Sequence, residues 1–213
     1  MAYPAAWSVP REWAGEPAFI LGGGASLVGF DASRLKSVQE GGRGRIIAVN
    51  DAGLDLAPFA DVLYFADGMS RWFGWNRDRL HLFRGRYVLT RAVDVMTVEG
   101  VEIQRLWRDK DSALSRDRTK VAGQCSGANA LNLAFLFGCN PVYLLGFDMG
   151  GGHWHDNHKA PARDRYQRDF IPSLERMGRE LAAEGVRVFN CNPDSALKCF
   201  PFADLDTVLE PAA

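Results

Sequence analysis

Short apolar runs, each ending at glycine or at a polar cluster, recur along the chain: "AFILGGG", "RIIAVND", "DVLYFAD", "RYVLT", "PVYLLGFD" and "VRVFNCN". Their length and their β-branched and aromatic content predict buried strands rather than helices. Between several of them the apolar spacing changes to that of a helix. In "SGANALNLAFLFGCN", Ser126 is placed to cap the N-terminus, alanine and leucine fill the interior, and Gly138 closes the end. In "ARDRYQRDFIPSLERMGRELAAEG", Phe170, Leu174, Met177 and Leu181 recur every three or four residues and Gly185 precedes the next strand. Pro172 within it predicts a kink, or a break between two shorter helices.

Strands that alternate with helices predict an α/β fold: one doubly wound, three-layer α/β/α domain over residues 1–213, Rossmann-like, with a mainly parallel sheet. In such sheets ligands gather at the carboxyl ends of the strands, where helix N-termini and loops converge. The polar clusters "GGGAS", "NDA", "ADG", "GFDMGGGHWHDNH" and "NCNPDS" each follow a predicted strand, so all should crowd one edge. The segment 99–119, with "LWRDKDSALSRDRTK", lacks a clean period and carries many charges; it reads as an insertion or mobile lid.

Composition narrows the class. At 213 residues and 47% hydrophobic the chain can build one substantial core. Its net charge of -1, without a block of like charges, argues against a dedicated nucleic-acid binder, although a local basic groove stays open. Cys125, Cys139, Cys191 and Cys199 form no CxxC pair and lie beside apolar segments, which suggests reduced thiols and a cytoplasmic location. No run approaches the roughly 20 apolar residues of a membrane span, and "MAYPAAWSVPREW" lacks the pattern of a leader, so a soluble, unprocessed protein is expected.

Several loops are candidates for chemistry. Gly22, Gly23, Gly24 and Ser26 follow the first strand and offer amides and a hydroxyl to an anion; the plain alternative is a tight turn. Neither the GxGxxG fingerprint nor GK[ST] is present. Asn50, Asp51 and Asp67 follow the next two strands, where they can reach a ribose or base or simply cap their loops. The amides of Cys125, Ser126 and Gly127 open the alanine-rich helix and form a second anion site, against an ordinary serine cap. Nothing else supports Cys125 as a nucleophile.

His153, His155 and His158 stand at HxH and HxxH spacing in "GFDMGGGHWHDNHKA". On extended backbone HxH presents both rings to one side, as zinc accepts; a neutral histidine also suits a general base, and a solvated loop is the third reading. Asp148 beside them can orient a histidine, hold a metal or cap a turn. The aromatic "SRWFGWNRDRLHLF" offers a stacking platform for a base or sugar, or core packing, with His81 structural.

The ordered set of motifs resembles the bacterial sialyltransferases that extend lipooligosaccharide. "AFILGGGASLVGFDASRL" is similar to their strand, glycine loop and "GPSL...D.SRL" continuation, and "IIAVNDA" to their second strand ending in a functional Asn. "KVAGQCSGANALNLAFLFGCNPVYLLGFDM" resembles the "TSG" helix followed by a strand ending "GID". "HWHDNHK" resembles a loop with two histidines, and "VFNCNPDSALKCF" the closing "CPNSLL" segment. The resemblance implies a CMP-sialic-acid-type donor, inversion without a metal and a histidine base acting on an acceptor hydroxyl. It assigns Gly22, Gly23, Gly24, Ser26, Asn50, Ser126 and Gly127 to the nucleotide, His158 to the base and His153 to its companion.

The chain departs from that pattern at defined places. Gly23 and Asp67 stand where the family has Asn, Gly150, Gly151 and Gly152 where it has tyrosine, and Gly123 where it has arginine, with Lys120 the nearest cation. A second resemblance, to the MptE-like 6-hydroxymethylpterin diphosphokinases, rests on the glycine loop with "SL" and the "lG.D" strand end; it implies ATP and magnesium. Small phage-encoded relatives of both kinds exist.

The sequence-level expectation is therefore a nucleotide-sugar-dependent glycosyltransferase that needs no cofactor beyond its donor. Its acceptor would be a hydroxyl of a glycan, a small molecule or a hydroxylated DNA base, and a homo-oligomer is compatible with the sequence. The alternatives are the diphosphokinase and a noncatalytic nucleotide-binding protein.

Overall fold

The computed structural model describes residues 6–157 and 163–210. Seven strands form one sheet: β1 (Ala18–Leu21), β2 (Arg45–Val49), β3 (Val62–Phe65), β4 (Tyr87–Thr90), β5 (Ile103–Arg105), β8 (Val142–Leu145) and β9 (Val188–Asn190). Two short strands, β6 (Trp107–Arg108) and β7 (Lys120–Val121), pair separately. The helices are α1 (Ser33–Glu40), α2 (Trp72–Asn76), α3 (Ser126–Phe137), α4 (Arg163–Arg165), α5 (Ile171–Ala183) and α6 (Leu205–Leu209). All six predicted strand runs are strands, and β5, β6 and β7 are additional.

Every pairing in the large sheet is parallel, in the order β5-β4-β3-β2-β1-β8-β9. The fully apolar strands follow from that architecture, because a parallel sheet is covered on both faces. Successive side chains alternate between the faces. Ala18 and Ile20 join Ile47 and Tyr64 in the cluster that buries α3, whereas Phe19 and Leu21 join Ile46, Ala48 and Phe65 in the cluster that holds α2. Helices α3 and α2 therefore cover opposite faces.

Helix α3 is apolar on nearly all sides because it lies between the sheet and further layers. Gly138, at φ 93, closes it as expected. Its cap is Cys125, not Ser126: Cys125 holds the extended backbone of a cap residue and its sulfur accepts from Ala128 N, while Ser126 is already helical. The second predicted helix, read as kinked or broken at Pro172, is instead helical without a gap from Arg163 to Ala183. A π-helical turn, Tyr166–Phe170, joins α4 to α5, and Pro172 lies just after it, so the irregular turn falls where proline interrupts the regular α-helical hydrogen bonding.

The segment 99–119 is packed against the main body. It contributes β5 at the sheet edge, and Leu106 and Leu114 enter the core at 2% and 0% exposure. Buried Asn132 of α3 accepts from Ser115 N at 3.0 Å and Ala122 N at 2.8 Å and donates to Ser115 O at 3.0 Å. A polar side chain in the interior thus holds an irregular segment whose sequence shows no period.

The chain leaves β1 in one direction, toward β2 to β5, and places β8 and β9 on the other side. The crevice between the carboxyl ends of β1 and β8 is the point where strand order reverses, the usual ligand position in an open α/β sheet.

Candidate functional site

A cleft of about 950 Å3 opens at that reversal point. It is lined by Gly22, Gly23 and Gly24 after β1, Asn50 after β2, Asp67 after β3, Arg91 after β4, and Cys125, Ser126 and Gly127 at the start of α3. The loop after β8 supplies Asp148, His153 and His155. Residues expected to meet from separate loops are thus brought together. Ser26 is not among them, and His158 lies outside the described residues.

The glycines are required by close packing. A Cβ on Gly22 would stand 2.7 Å from Gly146 O, and one on Gly24 would stand 2.5 Å from the Asp148 carboxyl carbon. Asp148 accepts from Ser26 N at 2.7 Å, Ser26 Oγ at 2.5 Å and Asn192 Nδ2 at 2.9 Å. Its backbone carbonyl accepts from Ala196 N at 2.8 Å. Ser26, expected to donate to a ligand anion, therefore spends its amide and hydroxyl on a carboxylate. Asp148 acts as a clamp among the loops after β1, β8 and β9, and its negative charge disfavours a phosphate immediately beside Gly24.

Cations enter the cleft from places the motifs did not indicate. Arg91 and Arg165 line it, together with Tyr166. Arg91 Nε donates to Asn129 Oδ1 at 2.9 Å, an oxygen that also accepts from the buried Tyr64 hydroxyl at 3.1 Å. Asn129 in turn donates to Ala122 O at 2.6 Å. Burial pushes the Tyr64 phenol up, so it stays a neutral donor. Arg91 follows a predicted strand, "RYVLT", and that position was its only sequence signal.

Asn50 adopts φ 56, a left-handed conformation that asparagine tolerates better than most residues. Its amide oxygen is buried at the cleft and has no hydrogen-bond partner among the described residues. An unmet buried acceptor is costly, and ligand donors relieve that cost. Asp67 pairs with Arg71 at 3.6 Å on the cleft wall. Cys125 is a neutral thiol, because burial raises its pKa more than the Ala128 and Gly127 amides lower it. That removes the basis for a nucleophilic thiolate there.

The histidine rings differ in their partners. His153 Nδ1 lies 3.0 Å from Gly23 O; a carbonyl only accepts, so Nδ1 carries a hydrogen, and Nε2 is buried. His155 shows the opposite assignment, since its Nδ1 accepts from Asn157 N at 3.2 Å and its Nε2 faces Asp51 Oδ2 at 3.7 Å. The two rings stack with centroids 5.2 Å apart and planes 9° apart.

Asp51, 1% exposed, also accepts from Trp72 Nε1 at 2.8 Å and Asn157 Nδ2 at 2.9 Å. It joins the loop after β2 to α2 and to the histidine loop. Among the described residues no three His, Cys, Asp or Glu side chains group as a metal cage.

The aromatic motif divides. Trp72 and Phe73 are core residues, while Trp75 lines the cleft with 61% of its surface exposed.

No protein-family model matches the sequence, nor does any functionally curated protein. Solved structures do match. The MAf glycosyltransferase of Magnetospirillum magneticum AMB-1 aligns with a TM-score of 0.66 at 14% identity, over 96% of this chain and 36% of that one. The Campylobacter jejuni sialyltransferase CstII, in complex with cytidine-5'-monophosphate, aligns with a TM-score of 0.54 at 12% identity, over 89% of this chain and 85% of that one. The sialyltransferase CST-II in complex with a trisaccharide acceptor and CMP gives 0.52 at 14% identity, over 88% and 85%. The chain therefore spans little more than a third of the MAf enzyme and most of the sialyltransferase. At these identities the likeness is one of architecture: the seven-stranded parallel sheet and its flanking helices have the fold of these glycosyltransferases.

Proposed function

We propose that the protein is an inverting, nucleotide-sugar-dependent glycosyltransferase with a histidine general base. The observation that carries this reading is the convergence, at the point where strand order reverses, of the glycine loop, Asn50, the start of α3 and the histidine loop on one cleft. The fold shared with known glycosyltransferases supports the transferase class.

In this scheme the donor nucleoside meets the Asn50 amide oxygen, and its phosphate sits toward the N-terminus of α3, Arg91 and Arg165, away from Asp148. The acceptor hydroxyl gives its proton to a histidine of the loop after β8, His153 or His158, while its oxygen bonds to the anomeric carbon. The bond from that carbon to the phosphate oxygen breaks, and the nucleotide leaves with the electron pair. Fixed cations and helix amides stabilise the charge as it develops on the leaving phosphate, where preorganised electrostatics contribute most. The scheme requires no bound metal. His158 remains the base implied by the family resemblance, and substitution decides between the two histidines.

A thermal-shift screen of CMP, UDP, GDP, ATP and CMP-sugars, with and without magnesium or zinc, tests the reading. A nucleotide or nucleotide-sugar should raise the melting temperature without metal. A shift confined to ATP with magnesium, accompanied by AMP release in turnover, would instead identify a diphosphokinase. No shift with any nucleotide would sink both.

A further inference from the structure

The glycosyltransferase reading leaves one feature of the cleft without a task, the exposed indole of Trp75. Ligand clefts are lined largely by apolar and aromatic side chains with a few polar groups set among them. Trp75 is 61% exposed, although Trp72 and Phe73 of the same helix are buried at 3% and 0%. Asp67 and Arg71, paired at 3.6 Å with 41% and 62% of their side chains exposed, line the same wall.

The wall is held in place relative to the histidines. Asp51 accepts from Trp72 Nε1 at 2.8 Å and lies 3.7 Å from His155 Nε2, so one buried carboxylate touches both α2 and the histidine loop. His155 stacks on His153. Trp75 follows Trp72 by three residues on that helix, and α2 and α3 cover opposite faces of the sheet. The start of α3 and the indole wall therefore flank the cleft from different sides, with the histidine loop contributing to the same cleft.

From this we infer that Trp75, with Asp67 and Arg71, forms the acceptor subsite and takes a pyranose ring by its apolar face. The C–H face of a sugar suits an indole. The adjacent carboxylate and guanidinium supply acceptors and donors for neighbouring hydroxyls, as bidentate polar groups do. The donor's nucleoside is met elsewhere, at Asn50. This inference rests on the glycosyltransferase reading and assigns the side of the cleft from which the acceptor approaches.

The test uses full-length wild type, Trp75→Ala and Trp75→Phe. Nucleotide thermal shifts are measured first. Tryptophan emission is then titrated with methyl β-galactoside, methyl α-glucoside, methyl β-glucoside and lactose in the presence of the best nucleotide, with glycoside binding to all three proteins checked by calorimetry. At least one glycoside should bind wild type. Trp75→Ala should weaken it about tenfold, the size of one aromatic stacking contact, and Trp75→Phe by much less. The nucleotide shift should be the same in all three proteins.

Glycoside affinity unaltered in Trp75→Ala, or no glycoside binding to wild type, overturns the subsite. Loss of the nucleotide shift in a folded Trp75→Ala also overturns it, because the indole then serves the donor. Absence of a nucleotide shift in wild type is a separate failure, that of the glycosyltransferase reading itself. Trp75 is exposed, so its truncation leaves the core intact; Trp75→Phe guards against any loss of folding.

Discussion

His153 and His155 are two residues apart and stacked, yet their surroundings prepare them for different tasks. Gly23 O fixes the hydrogen of His153 on Nδ1, whereas Asn157 N occupies Nδ1 of His155 and turns its Nε2 toward Asp51. We expect His153→Ala to lower transfer by about a hundredfold or more, the usual contribution of a positioned base, with the nucleotide thermal shift retained. His158→Ala is the matched comparison. If it alone abolishes turnover while His153→Ala stays near wild type, the base is His158. Asp51 belongs to the same scale: Asp51→Ala leaves Trp72 Nε1 and Asn157 Nδ2 without their shared acceptor. Hydrogen bonds to a buried charge predict a loss of about 2 kcal/mol in urea unfolding. A midpoint equal to wild type would mean that Asp51 is no clamp.

At the scale of elements, the loops after β1 and β8 form one unit because their strands are neighbours in register, with Ile20 beside Leu144 and Leu21 beside Leu145. Gly24→Ala places a methyl against the Asp148 carboxylate, and Asp148 cannot retreat without releasing Ser26 and Asn192. We expect a cost of about 1–3 kcal/mol, typical of overpacking, measured as a lower melting temperature in the ligand-free protein. A neutral result would restore the view that the glycines serve only ligand approach. Helix α3 shows a related division of labour. The sulfur of Cys125 caps the helix, and Ser126 lines the cleft.

For the whole molecule, the reversal of strand order between β1 and β8 determines where every loop of interest ends. Asn50, Asp67 and Arg91 descend from three successive strands on one side, and the histidine loop arrives from the other. A ligand spanning this cleft binds only the folded chain. At a concentration of about 100 times its Kd it should add about 2.7 kcal/mol to unfolding, which nucleotide titration of the melting curve checks. Failure of the shift to grow with ligand concentration would show that the cleft does not bind that nucleotide.

The sequence by itself determined six of the seven sheet strands, the alanine-rich helix with its glycine end, an irregular helical turn next to Pro172 and the gathering of polar loops at one edge. These follow from local rules: apolar run length, glycine's access to left-handed backbone and the geometry of parallel sheets. Tertiary structure decided the rest. Strands β5 to β7 and the docking of 99–119 depend on Leu106, Leu114 and the side chain of Asn132, contacts with no local period. Ser26 turned from an expected ligand donor into a partner of Asp148, a residue 122 positions away. Arg91, Arg165 and Trp75 acquire a common cleft only when the sheet is assembled. Local periodicity records which face of an element is buried; it does not record which distant side chain will stand opposite, and a site is made of such encounters.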